Sequence, residues 1–187
     1  MKAAGVRRYQ TVFQADLFGR AGLEAMRAAT DPLGLEMLGA ATVKRNTTEV
    51  AASLAALLQP GSKADAIFMV STYETCAAFV RQARQQGFRG RFYTLSFAGL
   101  EPLREALGGD LQELTMAQVV PDPEDASLPV VAAYQKAMRE AGEKQFDSIS
   151  LEGYIAARVL VEGLRRAKPP LTRASVMRGL ETLGDLD

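Results

Sequence analysis

The sequence contains no histidine and only one cysteine, Cys76. Histidine is the usual general base at neutral pH and the most common zinc ligand, so both roles lack their ordinary side chain. One cysteine can form neither an internal disulfide nor a thiolate metal cluster. Much hydrolytic and metal-dependent chemistry is therefore disfavoured. We expect no metal site.

Net charge and long apolar runs are also lacking. The 22 Lys and Arg residues balance 22 Asp and Glu residues, so nothing in the overall charge attracts the chain to nucleic acid or to an anionic membrane. No run approaches the ~20 apolar residues that cross a bilayer, and residues 1–10 lack the apolar core of a signal peptide. We expect no nucleic-acid partner, no membrane span and no signal peptide within this sequence.

What the sequence does have is 48% apolar residues, enough for a packed core, and a regular alternation over residues 1–120. The apolar run Ala66–Val70 is typical of a strand buried on both faces of a parallel sheet. Asn46 and Glu49 have the spacing of a capping box, which predicts a helix start there. Five strands alternate with four helices, and this order predicts an α/β fold with a parallel βαβαβαβαβ sheet and helices on both faces. The strands are predicted at 9–13, 35–43, 66–70, 92–95 and 114–120.

The pattern changes after the fifth strand. Pro121-Asp122-Pro123 disfavours helix and indicates an extended strap over residues 121–126. Residues 127–187 show helical patterns only, without a strand between them. The middle helix of this segment carries more apolar residues than a lone helix would expose to water, so it must pack on something substantial.

The candidate site lies in the loops at the carboxyl ends of the strands, where parallel sheets bind ligands. Phe18 and Tyr73 are aromatic residues in two of these loops, where such side chains either wall an apolar pocket or simply pack. Glu101 follows strand four, near Phe97. Its carboxylate suits a ligand ammonium, but it equally suits the positive end of a helix dipole. The residues alone leave these alternatives open.

Other motifs are absent or weak. Gly19 and Gly22 form no phosphate-binding pattern, and turn or helix-start roles explain them better. Ser71 and Ser96 have no histidine to take a proton, which argues against a serine hydrolase. Cys76 lies on the apolar face of a predicted helix, so we predict an inert core thiol.

Five stretches together resemble the leucine/isoleucine/valine-binding (amino-acid) branch of the periplasmic solute-binding proteins that serve ABC importers. The resemblance implies a type I periplasmic-binding fold, of which this chain is the C-terminal half. Residues 1–120 then form the second ligand-binding lobe, residues 121–126 a hinge, and residues 127–187 helices of the first lobe. The matching stretches are Gln14–Gly22, Val70–Tyr73, Ser96–Glu101, Val119–Pro123 and Ser150–Ala157.

The resemblance also implies a function and a set of site residues. It implies a non-enzymatic, periplasmic receptor with no catalytic residues, no metal and no cofactor. Such a receptor binds an amino acid or similar small polar solute and delivers it to ABC permease subunits. Phe18 resembles the aromatic residue that follows strand one, and Tyr73, next to Thr72, resembles the one that covers the ligand. Glu101 resembles the acid that holds the ligand's ammonium, with Phe97 beside it. Phe18 lacks the hydroxyl that a tyrosine would supply there.

Family members are usually longer, with a secretion signal and a whole first lobe before the part that this chain matches. We therefore expect a truncated product or an excised fragment that binds solute weakly or not at all. Its helices beyond residue 126 are expected either to expose an apolar patch or to form a homodimer that covers it. Two alternatives stay open: a ligand-sensing domain of a regulator or receptor with the same fold, and an enzyme on a flavodoxin-like sheet.

Overall fold

Five strands form one parallel sheet in the computed structural model of the protein, which describes residues 1–184. The last three residues of the predicted helical segment 127–187 lie outside the described residues. The α/β fold class with a parallel sheet followed by helices is confirmed. The strands are β1 (Arg8–Gln14), β2 (Glu36–Val43), β3 (Ala66–Val70), β4 (Arg91–Leu95) and β5 (Leu114–Ala117).

Helices connect the strands, and within residues 1–184 only helices follow β5. The chain divides into two units, of which the first is Met1–Ala117 and the second begins at Gln118. The first unit contains α1 (Leu17–Thr30), α2 (Ala51–Leu57), α3 (Tyr73–Gln85) and α4 (Leu100–Ala106), and the second contains α5 (Pro129–Glu140), α6 (Ser148–Arg166) and α7 (Arg173–Glu181).

The strand order β2-β1-β3-β4-β5 reverses direction between β1 and β3. In open parallel sheets with this order, the helices that follow the two strands leave to opposite faces, and a crevice opens at their carboxyl ends. Accordingly, α1 helps to cover one face through Phe18 and Met26, whereas α2, α3 and α4 cover the other through residues such as Leu54, Phe79 and Leu103.

Strand β3 lies at the centre of this arrangement. All five of its residues are buried, with Ile67 and Met69 in one core and Ala66, Phe68 and Val70 in the other. This is the two-faced burial that its continuous apolar run predicts.

Two local predictions are wrong. Helix α2 begins at Ala51 after Val50, without a side-chain cap, so Asn46 and Glu49 form no capping box. Asn46 instead adopts a left-handed turn at φ 51°, and the Glu49 N–H donates to Thr47 Oγ1 at 3.1 Å. Strand five ends at Ala117 rather than at Val120.

The Asp65 carboxylate joins β1 to the start of β3. Its Oδ2 accepts the backbone N–H groups of Arg7 and Arg8 at 3.0 and 2.9 Å, and its Oδ1 lies 3.6 Å from the Arg8 guanidinium. These hydrogen bonds, that of Arg8 first, lower the pKa of Asp65 below its usual value. A lowered pKa in the folded state means that the ionised carboxylate stabilises the fold above the unfolded-state pKa. That contribution is lost as the pH falls through the folded-state pKa.

We predict that Asp65→Ala lowers the free energy of unfolding by about 1 kcal/mol at pH 7, since hydrogen bonds to a partly exposed charged group are lost. Urea denaturation followed by circular dichroism measures this. The difference in free energy of unfolding between wild type and variant should become smaller as the pH falls from neutral to below the usual aspartate pKa near 4. The control is Glu24→Ala on the exposed side of α1. A gap that stays constant with pH contradicts the assignment.

The second unit has its own small core of Val131, Tyr134 and Leu151. The Tyr134 ring packs edge-on against Phe146 and Tyr154, and its hydroxyl lies 2.5 Å from Ser150 Oγ. Asp147 caps α6 by accepting the N–H groups of the residues two and three positions on. Polar capping and aromatic packing thus fix the junction between α5 and α6.

Helix α6 also leaves apolar side chains exposed, as expected from the sequence. Its surface forms a shallow cavity of about 320 Å³ around Tyr154, Ala157 and Val161. No helix within residues 1–184 is long and apolar enough to cross a membrane. The exposed apolar residues of α6 are Ile149, Leu160, Val161 and Leu164.

Glycines let α6 and α7 approach closely. A Cβ on Gly179 would lie 2.2 Å from the carbonyl oxygen of Gly163, and one on Gly163 would lie 2.4 Å from Leu180 Cδ2. The first contact is with backbone, which cannot rotate away. No side chain therefore fits at Gly179 without separating the helices.

We predict that Gly179→Ala destabilises the α6–α7 pair by roughly 1–3 kcal/mol, the usual cost of overpacking. Gly153→Ala in α6 is the matched control, because a Cβ there meets no atom within 4 Å. Alanine is favoured over glycine in a helix by about 1 kcal/mol, so the control should be neutral or stabilising. Urea denaturation of both variants measures the difference. Equal stability of the two variants would contradict the close approach.

Candidate functional site

The loops that follow β1, β3 and β4 meet at the carboxyl edge of the sheet. Phe13 pairs with Val70 in the parallel register of β1 and β3, so Gln14 and Ser71 come next to each other at this edge. The edge of β1 and β3 is also the point where the strand order reverses. The structure therefore places these loops where the sequence predicts a ligand crevice.

The loop after β1 is tightly folded around Asp16. This residue caps α1: its Oδ1 accepts the Gly19 N–H at 2.9 Å and its Oδ2 accepts a hydrogen bond from Gln14 Nε2 at 2.5 Å. These two bonds lower the pKa of Asp16 below its usual value, the Gly19 bond having the larger effect. A Cβ at Gly19 would lie 1.9 Å from the Gln14 carbonyl oxygen, so only glycine fits. The cap and the glycine fix the backbone that carries Phe18.

Phe18 and Phe97, two of the predicted site residues, are brought together. Their ring centroids lie 4.3 Å apart with a 41° angle between the ring planes. Phe18 follows β1 and Phe97 follows β4, so the pair spans the end of β3, which lies between those strands. Phe97 remains 56% exposed, and the neighbouring Leu17 is 84% exposed. The pair is thus an apolar surface open to a ligand.

Thr72 and Tyr73 follow β3 and begin α3. Thr72 is the residue before the helix, with its Oγ1 3.4 Å from Thr75 Oγ1. Tyr73 is 36% exposed and its hydroxyl donates to Glu74 Oε1 at 3.4 Å. Among the hydrogen bonds and ring contacts within residues 1–184, none joins Tyr73 to Phe18 or Phe97. Tyr73 thus shares the edge with the ring pair without stacking on it.

Glu101 lies in the first turn of α4. Its Oε2 is buried and accepts no hydrogen bond from the described residues. Two further buried polar atoms at the same edge, Gln14 Oε1 and Ser71 Oγ, also lack a partner there. Buried polar groups are normally bonded. The Gln14 and Glu101 oxygens can therefore each accept from a donor that the described residues do not supply, and the Ser71 hydroxyl can donate or accept.

The sequence did not single out Gln14, Asp16 or Ser71 as site residues. The sequence places these residues at the end of a strand or just after it. The residue types do not reveal that Gln14 and Ser71 are buried, each with a side-chain oxygen that has no hydrogen-bond partner among the described residues. The spacing of Asp16 and Gly19 fits an N-cap. That signal could have located the turn, though not its neighbours.

The chemistry available from these loops is that of carboxylate and amide oxygens, the Ser71 hydroxyl, which can donate or accept, and apolar surface. The three loops, 14–19, 71–74 and 96–101, contain Asp16, Glu74 and Glu101 but no Lys or Arg. Within residues 1–184 no group of three His, Cys, Asp or Glu side chains is placed to hold a metal ion. Cys76, in the first turn of α3, is fully buried, and burial raises its pKa to about 12, which makes it unreactive at neutral pH.

Comparison with known proteins identifies the family. The family model described as periplasmic binding protein matches residues 1–187. Among curated proteins, none matches the chain.

Solved structures are similar over the whole chain. A substrate-binding periplasmic protein from Ralstonia solanacearum is 30% identical with a TM-score of 0.84, and 100% of this chain covers 53% of that protein. A possible leucine/isoleucine/valine-binding protein from Rhodopirellula baltica SH 1 is 34% identical with a TM-score of 0.84, and 100% of this chain covers 52% of it. A fatty acid ABC transporter substrate-binding protein from Thermomonospora curvata is 22% identical with a TM-score of 0.80, over 97% of this chain and 47% of that protein, and shows the fold alone.

The chain therefore spans about half the length of the solved relatives that it matches. The match of the family model extends over the whole chain and agrees with the parallel sheet, the strand order and the helices that follow it. On these grounds the chain belongs to the periplasmic binding protein family.

Proposed function

We propose that this chain supplies one ligand-binding lobe of an ABC-importer receptor for amino acids or similar small polar solutes. The observation that carries the proposal is the Glu101 carboxylate, whose Oε2 is buried at the carboxyl edge without a donor. An ammonium group supplies such a donor and a compensating charge, which removes the cost of leaving the oxygen unbonded. An α-amino acid brings that ammonium to the loop.

The apolar surface at the same edge supports a ligand with a hydrocarbon side chain. Phe18 and Phe97 form a tilted pair and leave the Phe97 ring open to solvent. A ligand that contacts this pair would bury apolar area on both the ligand and the rings. Each Å² buried would stabilise the complex by about 25 cal/mol. The edge thus combines an acceptor for an ammonium with a surface for an aliphatic or aromatic side chain.

The ligand's carboxylate needs a different partner. The three loops contain three carboxylates and no Lys or Arg, so they offer the ligand's carboxylate no cation of their own. We infer that the carboxylate is held by a second lobe, which closes on the solute as in receptors of this family. The same inference assigns residues 1–120 to one lobe, 121–126 to the connecting hinge and 127–187 to helices of the other lobe. The solute would bind the closed conformation more tightly than the open one and so drive closure. In the periplasm, the closed receptor would then present the solute to ABC permease subunits.

Solute binding by the chain alone is expected to be weak and local. Titration of ¹⁵N-labelled protein with L-leucine should shift amide resonances in loops 14–19, 71–74 and 96–101 only at millimolar concentration, and calorimetry at micromolar protein should show no heat of binding. Shifts confined to other parts of the sheet would contradict the site. Tight binding by the chain alone would contradict the need for a second lobe.

We predict that Glu101→Gln weakens leucine binding by at least about tenfold, equivalent to about 1.4 kcal/mol. The amide keeps the size of the side chain but loses the charge that attracts the ammonium. The measurement uses a two-lobed receptor in which the first lobe of the Ralstonia solanacearum relative precedes this chain.

Glu105→Gln is the matched control for this prediction. Glu105 lies in the same helix α4, is exposed, and loses the same charge on substitution. It should bind leucine like the unmodified receptor. An unchanged dissociation constant for Glu101→Gln, or an equal loss in both variants, removes Glu101 from the site.

A further inference from the structure

A second cavity lies in the first unit at the opposite, amino-terminal end of the sheet. It has a volume of about 630 Å³, within the range of small-molecule sites. Edge strand β2 forms one wall and the segment that leaves α2 forms the other. Its polar lining consists of Arg8, Gln10, Glu36, Gln59, Ser62 and Lys63.

The cavity exists because helix α2 is short and strand β2 has a bulge. Helix α2 has only seven residues and ends at Leu57, so it does not cover the beginning of the strands. The register of β1 and β2 shifts between Tyr9 and Gln10, which pair with Met37 and Gly39, and Leu38 is the additional residue. This bulge leaves Gly39, which has no side chain, opposite Gln10. The course of the backbone therefore opens the space.

Gln10 is the polar residue at the bottom of this cavity and is only 6% exposed. Its Nε2 donates to the Leu57 carbonyl at 2.5 Å and to Ser62 Oγ at 3.3 Å, which fixes the orientation of the amide. Its Oε1 is buried and has no partner among the described residues. A hydrogen-bond donor that enters the cavity would satisfy this acceptor.

Three charged residues line the same cavity. Arg8 is already engaged, since it lies 3.6 Å from Asp65. Lys63 and Glu36, by contrast, are exposed and form no ion pair within residues 1–184. The cavity thus offers, from its described residues, an unpaired cation, an unpaired anion and a buried acceptor, a combination complementary to a small zwitterion.

We propose that this cavity, called here the amino-edge cavity, binds a small zwitterionic solute, separately from the site at the carboxyl edge. Lys63 holds the carboxylate of the solute, Glu36 attracts its ammonium, and Gln10 Oε1 accepts one of its N–H groups. The two sites are distinct, because Gln10 and Gln14 on β1 are four residues apart, about 13 Å along a strand.

The test is a titration of the ¹⁵N-labelled 187-residue chain with glycylglycine, a small zwitterion with one ammonium and one carboxylate. We expect amide shifts at Gly39, Gly61 and Ser62. N-acetylglycylglycine lacks the ammonium and glycylglycinamide lacks the carboxylate, so each should bind about fivefold more weakly or worse. Equal shifts from all three probes would overturn the proposal.

Substitutions on the rim test the same assignment without disturbing the core. Lys63→Met and Glu36→Gln should each weaken glycylglycine binding about fivefold. Lys44→Met and Glu24→Gln are matched controls, because both residues are exposed and neither lines the cavity. They should leave the affinity measured at Gly39, Gly61 and Ser62 unchanged.

The outcomes separate the two proposed sites. Shifts at the amino-edge cavity that Lys63→Met and Glu36→Gln reduce, and Glu101→Gln does not, support this proposal even if the carboxyl edge binds nothing. No shift at Gly39, Gly61 or Ser62 up to saturating solubility of glycylglycine overturns it. Shifts confined to the carboxyl-edge loops and lost in Glu101→Gln overturn it while supporting the proposed function.

Discussion

The burial of β3 on both faces is the constraint on which the rest of the first unit depends. Because every residue of Ala66–Val70 is buried, β3 must lie inside the sheet with helices on either side of it. Its neighbours are then β1 and β4, and the order reverses at the boundary between β1 and β3. The loops that carry Phe18, Tyr73 and Phe97 meet at one edge as a consequence of that pairing.

Both ends of this sheet contain buried polar atoms that the described part of the chain does not satisfy, but for different reasons. At the carboxyl edge, three loops converge, and Gln14, Ser71 and Glu101 each have one buried side-chain oxygen without a partner. At the amino edge, a short helix and a bulged edge strand leave Gln10 without a partner for its oxygen. A packed interior rarely tolerates such atoms. Within residues 1–184, four of the five such atoms lie towards the two ends of the sheet, whereas the fifth, the Tyr93 hydroxyl oxygen, lies in the middle of β4.

Much of the fold could be predicted from the sequence, since apolar runs and helical stripes are local signals. The run Ala66–Val70 predicted β3 to the residue. The start of α2 was wrong because Asn46 can adopt a left-handed turn, in which its side chain no longer caps a helix. For the candidate site, the sequence predicted that the loops after β1, β3 and β4 lie at one edge of the sheet. The contact between Phe18 and Phe97, and the unpaired oxygen of Glu101, depend on residues far apart in the chain and could not be predicted.

The central claim is that the carboxyl edge takes the ammonium and the apolar side chain of an amino acid together. Intermolecular nuclear Overhauser effects between ¹³C-labelled leucine and the protein test this most directly. The account predicts cross-peaks from the leucine methyl groups to the ring protons of Phe18 and Phe97, and from the leucine α-proton to the amides around Glu101. Cross-peaks from bound leucine only to residues outside these loops would contradict it.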